Sequence, residues 1–206
     1  MANSVNPTTG NLWDFDLYQP QQSQDSELLQ QLAFIPGLKE FLMLRQVHAL
    51  EHGTVWVLSE MNQGSKRDNE NLGGLSTPKG FYLYGDVNHL ELQKAVSKAL
   101  QRFRAGIWNL AVHPRCGTNM SVNMLLTTGF VLGTHLLLPK GPIEQLLGLL
   151  LATSTASQLS PDVGIWTQKY LTTAIPFNLK LVQIARTQDF SGHRAYFVEV
   201  VWQDSQ

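Results

Sequence analysis

Two histidines four residues apart, His48 and His52, flank a glutamate in the run His48-Ala-Leu-Glu51-His52. On a helix, side chains at i and i+4 share one face. Such a face can offer two imidazoles to one divalent metal while the neighbouring carboxylate acts on a water. A second run, His113-Pro-Arg-Cys116-Gly-Thr-Asn119, adds a third imidazole and the only cysteine of the chain. Pro114 restrains the backbone there, and Gly117 permits a tight turn. With Thr118 or Asn119 capping a following helix, Cys116 would sit near a positive dipole end, which favours thiolate. Thiolate is the form of cysteine that binds metal.

The number of donors decides the chemistry. If His48, His52, His113 and Cys116 all bind, the shell is closed, as in a structural zinc site. If one stands off, a position opens and Glu51 can serve as general base. Zinc is the expected ion for this mixed nitrogen and sulfur set. Glu60, two turns beyond His52, is placed to orient a histidine through its second nitrogen. A different chemistry would use Cys116 as a nucleophile with His113 beside it. Of the other histidines, His89 reads as a helix-start residue and His193 as part of a turn. His135 is an interior histidine or an intramembrane polar site. Arg115 reads as an interfacial charge or an anion contact.

These side chains need elements to hold them. A first helix is expected from Ser26 through Leu32, broken at Pro36-Gly37. The next, Leu38 to Glu60, carries Phe41, Leu42, Leu44, Val47 and Leu50 at helical spacing, with His48 and His52 along it. Met61 to Pro78 reads as a surface loop. Gly80 to Gly85 is a short aromatic strand. Asp86 or Asn88 would cap a helix from Leu90 to Arg104, whose stripe is Leu92, Val96, Ala99, Leu100 and Phe103. Trp108 to Val112 reads as a second strand leading to His113. From Asn178 to Gln203 two alternating runs flank the turn residues Asp189 to Gly192, as in a β-hairpin.

Charge is absent from Gly117 through Pro139 and again from Gln145 through Pro161, with Lys140-Gly141-Pro142 as a turn between. A spanning helix needs about 20 mainly apolar residues. Residues 119–160 therefore form an apolar helical hairpin, either in a membrane or in a soluble core. Gly129, Gly133, Gly148 and Ala152 would permit close helix packing. Arg102, Arg104 and Arg115 before the first segment fit a cytoplasmic start under the positive-inside rule. A hairpin beginning there returns to the same side. The expectation is a membrane protein with the metal motif and both termini cytoplasmic.

The chain has 206 residues and a formal charge of −1, which argues against a nucleic-acid partner. Only 15% of residues are charged, against about 25% in an ordinary soluble domain. One cysteine allows no intrachain disulfide and fits a reducing compartment. Residues 1–25 are rich in Asn, Gln, Ser and Pro and read as a disordered tail. Within it, Trp13, Phe15, Leu17 and Tyr18 could dock against the fold or against a protein partner. Residues 26–206 are expected to form a single α+β domain.

The helix run matches the H-x-x-E-H spelling of inverted zinc peptidases. The two runs together resemble an uncharacterised cyanobacterial family that carries the His-Ala-Leu-Glu-His helix followed by His-Pro-Arg-Cys-Gly-Thr-Asn, over about Leu38 to Trp202. They are also similar to a broader bacterial family of membrane proteins described as predicted metal-dependent enzymes. Glu51-His52-Gly53-Thr54 and His113 to Thr118 match its motifs, with Gly53 where that family has lysine. The resemblance implies a metal and a membrane. The expected function is a membrane-associated metal-dependent hydrolase, with a peptidase as one form and Glu51 as its base. The alternative is a non-catalytic membrane protein with a structural metal site, such as an assembly factor for a membrane complex.

Overall fold

The computed structural model describes residues 20–61, 72–189 and 191–203. Most of the expected tail, with Trp13, Phe15, Leu17 and Tyr18, lies outside the described residues. The architecture is α+β. Among the described residues, five α-helices accompany one four-stranded antiparallel sheet.

Helix α1 spans Gln24–Gln31, and Gly37, at φ 81°, turns the chain into α2, Leu38–Met61. A left-handed backbone is available to glycine without a Cβ penalty. From Gln46 to Val55 every residue of α2 is buried except His48, which is half-buried. A helix covered on all sides needs no polar face. Its burial is also why polar groups upon it must find partners.

Strands β1 (Gly73–Thr77) and β2 (Gly80–Tyr84) form a tight hairpin through Pro78-Lys79. Helix α3, His89–Arg104, starts on Asn88, whose Oδ1 accepts the Leu90 N–H at 2.9 Å. Its stripe of Leu92, Ala95, Val96, Ala99, Leu100 and Phe103 is buried. Strands β3 (Leu179–Gln188) and β4 (Arg194–Trp202) make the C-terminal hairpin, and the sheet order is β1-β2-β4-β3. In the turn, Asp189 Oδ1 accepts the N–H groups of Ser191 and His193. Val47, Leu50, Leu58, Phe81, Leu83, Val96 and Val198 join helices and sheet in the main core. Phe103 fills the space in front of Gly53, so a side chain at 53 would meet its ring.

Two expectations about local structure give way. Within the expected loop Met61 to Pro78, residues Gly73–Thr77 are a strand. Gly73 and Gly74 hide it from propensity, and pairing with the aromatic β2 holds it. Trp108–Ala111 is a 3-10 turn instead of a strand. It follows Gly106 at φ 86°, where Ile107 N–H caps back onto α3, and among the described residues no strand pairs with it.

The apolar hairpin consists of α4, Gly117–Leu137, and α5, Pro142–Thr167. It is longer than residues 119–160 because α5 continues through Pro161. Proline cannot donate to the Ser157 carbonyl, and the Ser160 hydroxyl reaches that oxygen at 3.5 Å instead. The buried residues of α5 are Gly148, Ala152, Ala156, Ser160 and Gly164, one in every four. This stripe lets α4 approach closely: Gly148 lies against Leu138 and Thr134, and Gly164 against Asn119. Gly129 and Gly133 of α4, expected in that contact, have open space before them. The rest of the hairpin is turned outward. Leu125, Leu136 and Leu137 are 74%, 75% and 86% exposed, so these helices are not a core of this chain.

The small-residue stripe predicts an asymmetric response to bulk. Ala156→Leu should part α4 from α5 and destabilise by about 1 to 3 kcal/mol, the range for overpacking. Gly129→Leu should leave the melting temperature in detergent within about a degree, since overpacking needs a neighbour to clash with. Equal losses in both variants would show that the helices pack through a different face.

Candidate metal centre

Helix α2 carries His48, Glu51 and His52 at its buried centre, and the start of α4 brings Cys116 to them. The two imidazoles are held in the same way. His48 Nδ1 lies 3.0 Å from the Thr172 carbonyl oxygen, and His52 Nδ1 lies 2.7 Å from that of Ala111. A carbonyl oxygen only accepts, so each Nδ1 carries the proton and each Nε2 of the neutral ring is bare. This is the tautomer and the backing that metal-binding histidines require. The rings sit 4.4 Å apart between centroids, edge to face.

Cys116 Sγ lies 3.3 Å from His48 Nε2. The donor atoms of His48, His52 and Cys116 all lie within 4.8 Å of one another. Tetrahedral zinc at 2.0 to 2.3 Å from its ligands separates them by roughly 3.3 to 3.8 Å. Small side-chain shifts would close the group on such an ion.

Cys116 is itself the N-cap of α4, where Thr118 or Asn119 was expected. Its Sγ accepts the Thr118 N–H at 3.3 Å. Burial pushes the thiol up, but the hydrogen bond and charge that His52 supplies when its ring is protonated, with Thr118, outweigh it and lower the thiol from its ordinary range.

His113 stands beside this group and does not join it. Its ring is 5.7 Å from His52 and 5.0 Å from Trp56, between centroids. Nδ1 accepts the Arg115 N–H at 3.2 Å, which occupies the bare lone pair of a neutral ring. Burial, then the charges of His52 and Arg115, lower its pKa to about 4. Neutral and already bonded, it walls the site.

Glu51 is buried, and Oε2 accepts the Ser76 hydroxyl at 2.5 Å. Burial raises its pKa; the Ser76 bond and the charge of His48 pull the other way without cancelling that rise. Gly74 packs so closely on the carboxylate that no Cβ would fit there. Ser76 and Gly74 both come from β1, a strand hidden in the expected loop. The one sequence signal for them was Gly73-Gly74 preceding Leu75 in an otherwise polar stretch. Glu60 has a different role from the one expected. It forms a forked pair with Arg102 of α3, at 2.6 and 2.7 Å, on the surface. Backbone carbonyls, which no side-chain pattern announces, orient the histidines instead.

Gln168 also escaped the sequence reading. It follows α5 in a wide π-type turn, Gln168–Thr172, and is fully buried. Oε1 accepts the His113 N–H at 2.9 Å and Nε2 donates to Asn119 Oδ1 at 2.7 Å. Asn119 Nδ2 donates to the Pro114 carbonyl. One glutamine thus ties the second motif to the base of the hairpin. Arg45 adds two bonds to the carbonyls of Tyr170 and Thr173.

A cavity of about 540 Å³ opens over the donors. His48, Glu51, His52 and Cys116 line it, with apolar walls of Phe41, Leu44, Leu72, Leu75 and Leu171. The remaining histidines are elsewhere. His89 heads α3 and meets the Ile184 carbonyl, His135 meets Gln145 Oε1 between the hairpin helices, and His193 sits by Asp189 in the turn. Chemically, the arrangement can hold a metal ion through His48, His52 and Cys116.

Comparison with known proteins agrees with an uncharacterised cyanobacterial family. The family model described as Domain of unknown function (DUF6391) matches residues 43–184, a span that includes every donor. An uncharacterised protein from a strain of Picosynechococcus is 50% identical over 198 residues, covering 94% of this chain and 97% of its own. No solved structure matches the chain.

Cobalt(II) titration separates donors from walls. The protein in detergent should take up about one equivalent, as expected for a single site, with a thiolate charge-transfer band in the near ultraviolet. Cys116→Ala should remove the band, His48→Ala and His52→Ala should abolish saturable binding, and His113→Ala should keep both. Loss of binding in His113→Ala would place His113 among the donors.

Proposed function

The chain belongs to the family described as Domain of unknown function (DUF6391), and on that footing we propose that it is a membrane-associated, zinc-dependent hydrolase. One observation carries the reading. Three donor atoms, two imidazole nitrogens and one sulfur, converge on one side of a cavity that also holds a buried glutamate. Catalytic zinc sites have three protein ligands and an open position, whereas structural sites are closed by four. Among the described residues no fourth His, Cys, Asp or Glu joins the group, which weighs against the structural knot and the assembly-factor alternative.

The donor set fits zinc: two carbonyl-backed imidazoles and a thiol whose surroundings favour thiolate. Bound there, the ion would supply Lewis acidity toward a substrate carbonyl. The chain supplies the rest. His48, His52 and Cys116 hold the ion. Glu51 takes the proton of the attacking water and returns it to the leaving group. Burial raises its pKa above the ordinary carboxylate range, the direction that favours taking up and then releasing a proton. Ser76 and Gly74 fix the carboxylate, and His113, packed against Trp56, walls the site. Cys116 acts as a ligand here, so the thiol-enzyme alternative, which needs it free, recedes.

The membrane part rests on the hairpin. Helix α4 is long and apolar enough to cross a bilayer. Its 21 residues span about 31 Å, the thickness of a hydrocarbon core. Lys140 and Glu144 lie at the tip, and both helices between tip and base are uncharged except for Asp162 near the end of α5. At the base, Trp166 and Tyr170 pair at 5.5 Å and Lys169 lies over the Tyr170 ring. Aromatic and basic residues of this kind mark a membrane interface. Cys116 caps α4 at that base, so the site lies at the bilayer surface. Arg102, Arg104 and Arg115 favour the cytoplasmic side for it.

Two measurements bear on this. Glu51→Gln should keep metal and fold while turnover falls about 10² to 10⁴-fold, the usual range for a lost general base. If the glutamine variant loses its metal, Glu51 is a ligand. Alkaline carbonate washing should leave the protein in the membrane pellet. Full recovery in the supernatant, as a monomer without detergent, would remove the membrane from the proposal.

A further inference from the structure

The cavity over the donors has one wall of an unusual kind. It is a strand, with Gly73, Gly74, Leu75 and Ser76 all on its surface. That strand, β1, is at the edge of the sheet. It pairs with β2 on one side, and among the described residues no strand pairs with the other. In an antiparallel ladder alternate residues turn their N–H and C=O toward the partner, so the remaining ones point to the open edge. Such an edge is a template for a further extended backbone.

Three features of β1 fit this use. Gly73 and Gly74 carry no side chains to hold off an approaching chain, and both are exposed. The face of β1 is already taken: Gly74 and Ser76, two residues apart, both meet Glu51 of α2. That contact fixes the edge relative to the carboxylate and the donors. Beside the edge, Phe41, Leu75 and Leu171 are partly exposed apolar groups within the same cavity. They offer side-chain contacts to whatever lies along the strand.

We propose that the substrate is an extended polypeptide segment that adds to the open edge of β1, so that one of its amide carbonyls is presented to the group of His48, His52, Cys116 and Glu51. The occupant follows from the lining. Backbone donors and acceptors at strand spacing are complemented by another backbone, and a lipid chain has none. This rests on the hydrolase reading for the cleavage step. There, water gives its hydroxyl to the acyl carbon and its proton, through Glu51, to the departing amine as the C–N bond breaks. The binding mode is independent of that step.

The test uses the full-length protein in lipid nanodiscs with zinc supplied. The probe is a hexapeptide hydroxamate of alternating valine and threonine. Its affinity is compared with that of a series N-methylated at one amide at a time, and hydrogen exchange is followed at residues 72–77. The expected result is alternation. Methylation at every second amide should weaken binding at least about tenfold, and the intervening positions should be neutral. The unmodified probe should slow exchange in β1. Insensitivity to methylation, absence of β1 protection, or tighter binding of a long-chain alkyl hydroxamate would overturn the proposal, the last in favour of a lipid substrate. Metal analysis of the same sample keeps the two readings apart. Alternation with no bound metal would sustain the strand-addition site and remove the hydrolase. Bound metal without alternation would do the reverse.

Discussion

Two backbone carbonyls decide how this protein presents its chemistry. Thr172 and Ala111 take the Nδ1 protons of His48 and His52, and so aim both bare nitrogens at one sulfur. A buried imidazole without such a partner would be costly and free to turn. Neither carbonyl is in regular helix or sheet. Ala111 ends the 3-10 turn before His113, and Thr172 ends the wide turn after α5. Irregular backbone leaves carbonyl oxygens unpaired, and here those oxygens are spent on the site. The geometry of the two histidines therefore depends on how the chain enters and leaves the apolar hairpin.

That dependence makes the base of the hairpin the joint on which the site is built. Cys116 caps α4, Thr172 follows α5, and Gln168 ties His113 to Asn119 across them. A shift of α4 against α5 would move a donor, a histidine partner and a wall of the site together. The α5 stripe of Gly148, Ala152, Ala156, Ser160 and Gly164 resists such a shift by letting the backbones meet. Packing along the outward part of the hairpin thus supports the donor geometry at its foot. The sheet acts from the opposite side, where β1 presses Gly74 and Ser76 onto Glu51. The carboxylate is held by sheet, the imidazoles by helix and turns, and the thiol by the hairpin.

Glu51 and His113 show how placement sets role in a crowded site. Both are buried, and burial pushes each toward its uncharged form, raising the pKa of Glu51 and lowering that of His113 to about 4. The difference lies in what each has left to offer. Ser76 engages one oxygen of Glu51, and the carboxyl still lines the cavity. Arg115 engages the lone pair that would have made His113 a ligand. Of the four candidate donors in the sequence, three, His48, His52 and Cys116, lie within 4.8 Å of one another.

The sequence by itself determined much of this. Helical spacing put His48, Glu51 and His52 on one helix. The uncharged runs marked a hairpin, and alternation with a turn marked the C-terminal strands. Those are local signals, written in periods of four and two. The run His113 to Cys116 offered two further candidate donors, of which Cys116 lies with the two histidines. Tertiary structure decided the rest. Strand β1 exists because β2 pairs with it, although its glycines disfavour a strand. Trp108–Ala111 is a turn after Gly106, and among the described residues no strand lies there to receive it. Glu60 went to Arg102, and carbonyls took its expected place, because a backbone oxygen has no sequence signature. Whether a histidine is a ligand or a wall depends on which hydrogen bond reaches its second nitrogen, and that partner is set only when distant segments meet.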